Sequence, residues 1–596
     1  MEQIKTFRKE TWEEASRRLL TKMIAEFMYE DILSPEELET GDEGVHSYRL
    51  VLENGVIYTY QAKKRLFDSY HVLSDTIYRE QDGEVHPAIN PIRFLLDIQG
   101  TVGIHPVTAG HLIREYTNTL IADVHILEKK QNQSFDLTEL DYAELEGEME
   151  GHPWITYNKG RIGFSYEDYL EYAPERKKPV QLSWIAVHKD KADFHAVKGL
   201  DYLELARQEL GEKQLENFGL ALRQQHLNVS DYLFMPVHKW QWDHFIVPFF
   251  AEEIAYKRIV PLGKGEDWYL PQQSIRTFVN ISHKRKNHVK LPMSILNTLV
   301  YRGLPGERTV LAPKITEYIT NIREKDAFLR DECRVILPGE IASINYDHVY
   351  YSQLKGAPYQ YLEMLGCIWR ESIYQNMEEG EKPVTLASLL HVDGTGKPFV
   401  SRLVEKSGLC LDDWLNRLFE VILPPLLHYL YRYGVVFSPH GQNTILVLKN
   451  HIPHRLSIKD FVDDVNVSRI PLPELEELPG DLKQVLRSEE PEGLCQFVFT
   501  GLFICHFRYL ADLLENHHQY HETDFWRKVR KTVLSYQKRF PEMKGRYELF
   551  DLLKPSFTKL CLNRNRMIDY GYEDDVDRPH ASEYGQVTNA LSLVSV

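Results

Sequence analysis

"SPHGQNTILVL" (residues 438–448) sets His440, Gln442 and Asn443 on the lip of a short β-branched run, and "KDFVDD" (459–464) answers it with Asp460, Asp463 and Asp464. "NTILVL" and "RLSIKDF" read as two strands of a hairpin joined by the turn "KNHIPH". The hairpin carries an imidazole, an amide three residues on, and an aspartate at its far end. That set suits a phosphate and a magnesium ion, because Mg²⁺ takes one or two carboxylates together with phosphate oxygens and water. Spacing alone also allows a capped hairpin around a satisfied buried histidine, or a kinase-type catalytic loop with its metal aspartate.

Outward from this hairpin the chain reads as α+β. Residues 11–28 form an amphipathic helix, with Thr11 and Glu14 in a capping-box pattern. "YRLVLENGVIYTYQ" is a hairpin about Asn54-Gly55, the preferred pair of a tight type I′ turn. Residues 90–147 carry helical spacings. Strands recur from 181 in "QLSWIAVH", "YLFMPVH", "IRTFVNI" and "NHVKLPM". Further helices are expected over 357–377 and through "LDDWLNRLFEVILPPLLHYLYRYG". Residues 471–493 read as an acidic surface loop with a short helix, and an irregular tail is expected from about 574.

Bulk composition narrows the function classes. A chain of 596 residues exceeds one hydrophobic core, so two to four units are expected. With 43% hydrophobic residues and a net charge of −17, it is a globular chain with no basic surface for nucleic acid or an anionic membrane. The six cysteines are scattered without a C-x-x-C pair, which fits reduced thiols. The charged N-terminus lacks an apolar signal core, and the most apolar run is broken by prolines, His428 and Arg432. A cytoplasmic protein is expected.

Three further segments carry chemistry. In "GHPWITYNKGRIGF" (151–164), His152, Lys159 and Arg161 stand among glycines, a cationic loop able to close on a carboxylate or phosphate. In 271–305, Ser274, Arg276 and Thr277 precede a strand, Lys290 enters the next, and Arg302 follows. Arg276 and Lys290 can point from adjacent strands into one triphosphate site, or Arg276 can be structural through an ion pair. "YLFMPVHKWQWDHFI" (232–246) reads mainly as core. No Gly-rich phosphate loop is present: "HVDGTGKPF" has His391 where a P-loop needs glycine and Pro398 where it needs Ser or Thr.

Taken in order, "GHP…NKGRIGF…YAPE", "MPVHKWQW", "SIRT", "HVKLPMSILNT…R", "PHGQNTILVL…KDF" and "CLNRNRM" resemble the aerobactin-synthetase (IucA/IucC) family of siderophore synthetases, which work independently of nonribosomal peptide synthetases. The resemblance implies a cupped hand: helical fingers (1–175), an antiparallel-sheet palm (176–405) and a helical thumb (406–596). It implies ATP- and Mg²⁺-dependent adenylation of a carboxylate, then attack by an amine or hydroxylamine, with AMP and pyrophosphate released by a homodimer. Ser274, Arg276, Thr277, Lys290, Arg302, His440 and Asn443 are then expected on the nucleotide, with His440, Arg302 and Lys290 catalytic. Asp460 and Asp464 are expected on Mg²⁺, and His152, Lys159 and Arg161 on the carboxylate substrate. The "GHPWITYNKGRIGF" motif resembles the branch that takes a half-condensed citrate or a succinylated diamine rather than free citrate.

The chain departs from the family pattern at Lys239, at Gln272 and Gln273, and at Ser438. The last leaves Asp463 or Asp464 as a replacement metal ligand. Competing readings are a small-molecule kinase and a non-catalytic ferric-siderophore handling protein. The latter rests on the relation of the C-terminal half to ferric reductases, whose C-terminal cysteine cluster is represented here by Cys561 alone.

Overall fold

The computed structural model describes residues 6–41, 44–132 and 135–595. Helix α1 (Lys9–Tyr29) buries Leu19, Leu20, Met23, Ile24 and Phe27. Lys9 and Glu10 continue the winding backward, so Thr11 lies inside the helix and the expected capping box does not form. Helices α2 (Pro91–Val102) and α3 (Pro106–Gln131) fill most of the stretch expected to be helical. Asn90 caps α2 by accepting from Ile92 and Arg93 N–H.

Between α1 and α2 lies a six-stranded sheet that the expected helical fingers omit: β1 (Glu36–Thr40), β2 (Val45–Val51), β3 (Ile57–Arg65), β4 (Ser69–Val72), β5 (Tyr78–Gln81) and β6 (Glu84–Pro87). Strands β5 and β6 have no buried residue, so they carry no hydrophobic alternation to read. The β2–β3 hairpin turns at Asn54-Gly55, but only Gly55 is left-handed (φ 79°) and its N–H donates to Leu52 O at 3.0 Å. This is a type I turn closed by a glycine bulge, not the type I′ turn expected.

The central sheet takes its strands from residues 180–370. They are β7 (Val180–His188), β8 (Ala192–Ala196), β9 (Tyr232–Val237), β10 (Ile259–Pro271), β11 (Thr277–Asn280) and β12 (His288–Lys290), then β15 (Glu340–Tyr346) and β16 (Gly366–Arg370). Their order is β8-β15-β16-β12-β11-β10-β7-β9, antiparallel throughout. Between them β13 (Met293–Asn297) and β14 (Val300–Arg302) make a separate hairpin at the cleft. Strand β16 occupies the span expected as a helix over 357–377. "GCIWR" is buried at every position between two neighbours, and a short run buried on both faces has no period to separate strand from helix.

Beyond it, β17 (Glu381–Thr385), β19 (Thr444–Lys449) and β20 (Ile452–Ile458) form a third sheet, and β18 (Val435–Val436) pairs with residues 466–468. The opening hairpin therefore exists. Its turn places Asn450 (φ 52°) and His451 (φ 64°) both left-handed, the two-residue type I′ geometry. Helices Leu411–His428, Pro491–Gln496, Arg508–His518 and Glu522–Arg539 pack the largest core cluster behind this sheet. The stretch Pro491–His518 is long and apolar enough to cross a membrane by composition, but 67% of its apolar window is buried in the protein. The tail expected to be irregular is stitched down: Ser582–Thr588 pairs antiparallel with Ser556–Cys561. It has one fully buried side chain, Val587, so the sequence gives it no strand pattern.

The two distant parts of the chain meet at Glu30, wholly buried at the end of α1. Its carboxylate accepts from the N–H groups of Leu562 (3.2 Å), Asn563 (3.0 Å) and Arg564 (2.7 Å) and from Asn563 Nδ2 (2.8 Å). Asn563 Oδ1 in turn accepts from Thr156 N–H (2.9 Å) and Oγ1 (3.0 Å), anchoring the glycine-rich loop. Burial pushes Glu30 up to about 7 while these hydrogen bonds hold it down, and losing the carboxyl strands four donors at once. Glu30→Ala should cost on the order of 3 kcal/mol, seen as earlier thermal unfolding together with fast amide exchange at 562–564. Unchanged exchange there refutes the clamp.

Candidate active site

A cleft of about 1140 Å³ opens between α1, α3, the 151–163 loop, the β13–β14 hairpin, the 385–396 segment and the 438–443 lip. Of the expected site residues, His152, Lys159, Arg161, Ser274, Arg302 and His440 line it. Arg276, Thr277, Lys290, Asn443, Asp460 and Asp464 do not; they form the layer beneath.

That layer is a charge cluster. Thr277 on β11 lies opposite Lys290 on β12. Arg276 Nη2 (2.7 Å) and Lys290 Nζ (2.9 Å) converge on the same atom, Asp463 Oδ2, and Lys290 also bonds Asp460. The two cations thus point to one place, as the strand pairing suggests, and carboxylates from the hairpin occupy it. The ion-paired alternative for Arg276 is the arrangement seen. Glu340 stands 3.9 Å from Lys290 and accepts from Val462 N–H at 2.8 Å. Burial would raise both Asp460 and Asp463, but Lys290 and the neighbouring arginines together outweigh it, holding Asp460 down at about 2 and Asp463 well below its usual range.

Asp464 answers differently. Burial and the neighbouring charges of Asp460 and Asp463 push it up to about 7, although Asn443 Nδ2 donates to its Oδ2 at 2.7 Å. Three crowded carboxyls, one of them pushed up into the neutral range, fit a divalent cation. Among the described residues no three His, Cys, Asp or Glu side chains converge on a metal-sized point. The donors therefore fit an ion shared with phosphate oxygens, the usual habit of Mg²⁺, and not a closed protein cage.

Above this layer Arg302 faces the cleft. Its guanidinium bonds Asn297 O (3.0 Å), Thr298 O (3.3 Å) and Thr298 Oγ1, all neutral oxygens. Burial, with Arg276 and Arg578 nearby, brings it down to about 9. A half-buried cation whose hydrogen bonds all go to neutral oxygens is free to take an anion from the cleft. Ser274 Oγ accepts from Thr277 N–H at 3.2 Å, closing the turn before β11. Left-handed backbone gathers here at Ile275 (φ 63°), Thr298 (φ 47°), Leu299 (φ 79°) and Asp460 (φ 74°), a cost of a kind that concentrates at functional sites.

The imidazoles are neutral. Burial lowers His440 to about 4, and its Nδ1 accepts from Gln442 N–H at 3.3 Å, leaving the proton on Nε2. Burial likewise depresses His152, whose Nδ1 accepts from Trp154 (3.2 Å) and Ile155 (3.1 Å) N–H. Lys159 pairs with Asp123 (2.9 Å), and Arg161 makes a two-pronged pair with Glu175 (2.6 and 2.9 Å). Arg161 thereby braces the loop, which Ile162 and Leu296 tie to β13 by reciprocal 2.9 Å hydrogen bonds.

Sequence reading missed Lys22, Glu146, Glu340 and His506. One carried a signal: His506 sits in the apolar "FICHF". His506 also explains the glycine of "PHGQN". A Cβ on Gly441 would lie 3.1 Å from His506 Nδ1 and from Ala387. Lys239, one of the departures, is exposed and pairs with Asp243, away from the cleft.

The cleft and the sheets that hold it have relatives. The IucA / IucC family matches residues 141–391, and the family described as ferric iron reductase FhuF-like transporter matches 412–575. The rhizobactin siderophore biosynthesis protein RhbF of Rhizobium meliloti (strain 1021) is 43% identical over 98% of this chain and 96% of its own. Putrebactin synthase of Shewanella sp. (strain MR-4) is 36% identical over 93% of this chain and 87% of its own. The crystal structure of the petrobactin biosynthesis protein AsbB from Bacillus anthracis str. Sterne superposes with a TM-score of 0.88 at 29% identity, covering 99% of this chain and 97% of that one. Fold and cleft are those of the siderophore synthetases that act without a nonribosomal template. The chain belongs to the IucA / IucC family.

Asp464 gives a pH test. Its folded-state value lies above the unfolded one, so the folded protein binds the extra proton and stability falls as pH rises from about 4 to about 7. Asp464→Asn should flatten that part of the stability–pH curve in metal-free buffer. Denaturant midpoints that differ from wild type by a constant offset over this range contradict the assignment.

Proposed function

We propose that the protein is an ATP-dependent carboxylate–amine ligase of siderophore assembly. It adenylates a citrate-derived or succinyl carboxylate and condenses it with an amine or hydroxylamine of a diamine-type substrate. The observation that carries the reading is Arg302: a half-buried guanidinium with no carboxylate partner among the described residues, at the cleft face beside Ser274 and His440 and above the Arg276–Lys290–Asp463 cluster. Family membership supplies the reaction class.

In this reading the triphosphate lies along Ser274 and Arg302. Carboxylate attack on the α-phosphorus breaks the bond to pyrophosphate and builds negative charge on the phosphoryl oxygens, which Arg302 and the Nε2–H of His440 offset. Arg276 and Lys290 support the site from below and come within reach of phosphate when Asp460 and Asp463 turn to another cation. Asp460 and Asp464 would hold Mg²⁺, which supplies charge neutralisation for the phosphates when bound. The acyl-adenylate then loses AMP to the amine, which needs mainly positioning and a free electron pair. His152 and Lys159 flank the acyl side. The same reading places the enzyme in the cytoplasm as a homodimer, and assigns fingers, palm and thumb to 1–175, 176–405 and 406–596.

The test is product analysis over a panel of citrate-type and succinyl acids crossed with diamines and hydroxylated diamines. Amide, AMP and pyrophosphate are expected. ADP with a phosphorylated acceptor would establish a kinase instead. Arg302→Gln should reduce acid-dependent pyrophosphate release by about 10²–10³-fold with the circular dichroism spectrum retained. Near-normal turnover in that variant refutes the site. Lys290→Ala is a poorer probe, because it leaves Asp460 and Asp463 partly unpaired and confounds activity with stability.

A further inference from the structure

Among the described residues, six lysine and arginine side chains line the cleft: Arg18, Lys22, Lys130, Lys159, Arg161 and Arg302. Four are matched by carboxylates, Arg18 by Glu14, Lys130 by Glu150, Lys159 by Asp123 and Arg161 by Glu175. The two others are Arg302, already placed on the nucleotide, and Lys22 on α1.

Helical spacing would pair Lys22 with Glu26, four residues on. Glu26 is taken: it bonds Arg508 Nη2 (2.9 Å) and Tyr509 OH (2.8 Å). Lys22 instead turns its ammonium to the glycine-rich loop, donating to His152 O and Ile155 O at 2.8 Å each. An ammonium has three donors, so one remains. Burial, with Lys159 next in effect, draws Lys22 down to about 7, the mark of a charge held without its counterion. His152 feels both Lys22 and Arg302, which places the loop histidine within the field of both cations.

We propose that Lys22 is a specificity-determining residue, its ammonium binding a carboxylate of the acyl substrate other than the one being activated. The inference rests on the ligase reading and narrows it. An acyl donor that keeps a spare carboxylate, such as a citric acid monoamide, gains this contact. A succinyl monoamide, whose single carboxylate must go to the adenylate, does not. The carbonyls of His152 and Ile155 aim the ammonium, so the contact is built by the 151–155 turn and α1 together.

The experiment compares the citric monoamide and the succinyl monoamide of putrescine in pyrophosphate release, with hydroxylamine as a common trapping nucleophile. Wild type should show a KM for the citric monoamide at least about tenfold below that for the succinyl compound. Lys22→Met, which keeps the aliphatic stem, should raise the citric KM by about that factor and leave the succinyl KM, kcat and the KM for ATP in place. Lys22→Arg should recover part of the loss. Equal KM values for the two acids in wild type overturn the proposal, as does a Lys22→Met variant that changes kcat or both acids alike. Should neither acid release pyrophosphate, the ligase reading falls, and calorimetric binding of the citric monoamide still decides Lys22: about tenfold weaker binding in Lys22→Met supports it, and unchanged binding overturns it.

Discussion

Everything at the centre of this molecule hangs on the meeting of Arg276 and Lys290 with Asp460 and Asp463. The cations come from the central sheet and the carboxylates from the end of the β19–β20 hairpin, more than 160 residues later. Neither half is tolerable alone in a buried layer, since an unpaired interior charge costs several kcal/mol. Together they fix the hairpin against the sheet, and so fix His440 and Asn443 relative to Arg302. The same pairing keeps the acids ionised and presents Asp464 as the group that must protonate. On the proposed ligase reading, this ion-paired cluster would become a phosphate site when a cation and an anion enter together.

The fold was legible where a segment's pattern had a period or a punctuation mark. Helix α1, the β19–β20 hairpin and strands β7, β9, β11 and β12 all follow from such patterns. It was illegible where burial was complete or absent. Strand β16 is buried at every position and was read as a helix, while β5 and β6 have no buried position and were not read at all. Turn chemistry shows the same limit. Asn-Gly marked a real hairpin, but strand register set a glycine bulge there and reserved the type I′ turn for Asn450-His451, a pair with no glycine.

The candidate site was legible as a set of residues and less so as a geometry. His152, Ser274, Arg302 and His440 share one cleft, and Arg276 with Lys290 share one partner atom. Sequence could not say that this partner is Asp463, or that Arg161 is spent on Glu175, because both pairings depend on how distant strands register. Lys22 left no trace in the sequence at all. On a helical wheel it is an ordinary flanking lysine, and only the capture of Glu26 by Arg508 sets it free for the loop.

The Glu30 clamp bears on how the chain is made. Its donors lie 532 to 534 positions downstream, so a ribosome must polymerise nearly the entire polypeptide before the first helix can dock for good. Contacts of such separation are slow to close and leave apolar surface uncovered meanwhile. The rim of the cleft that α1 supplies is thus completed late in biosynthesis.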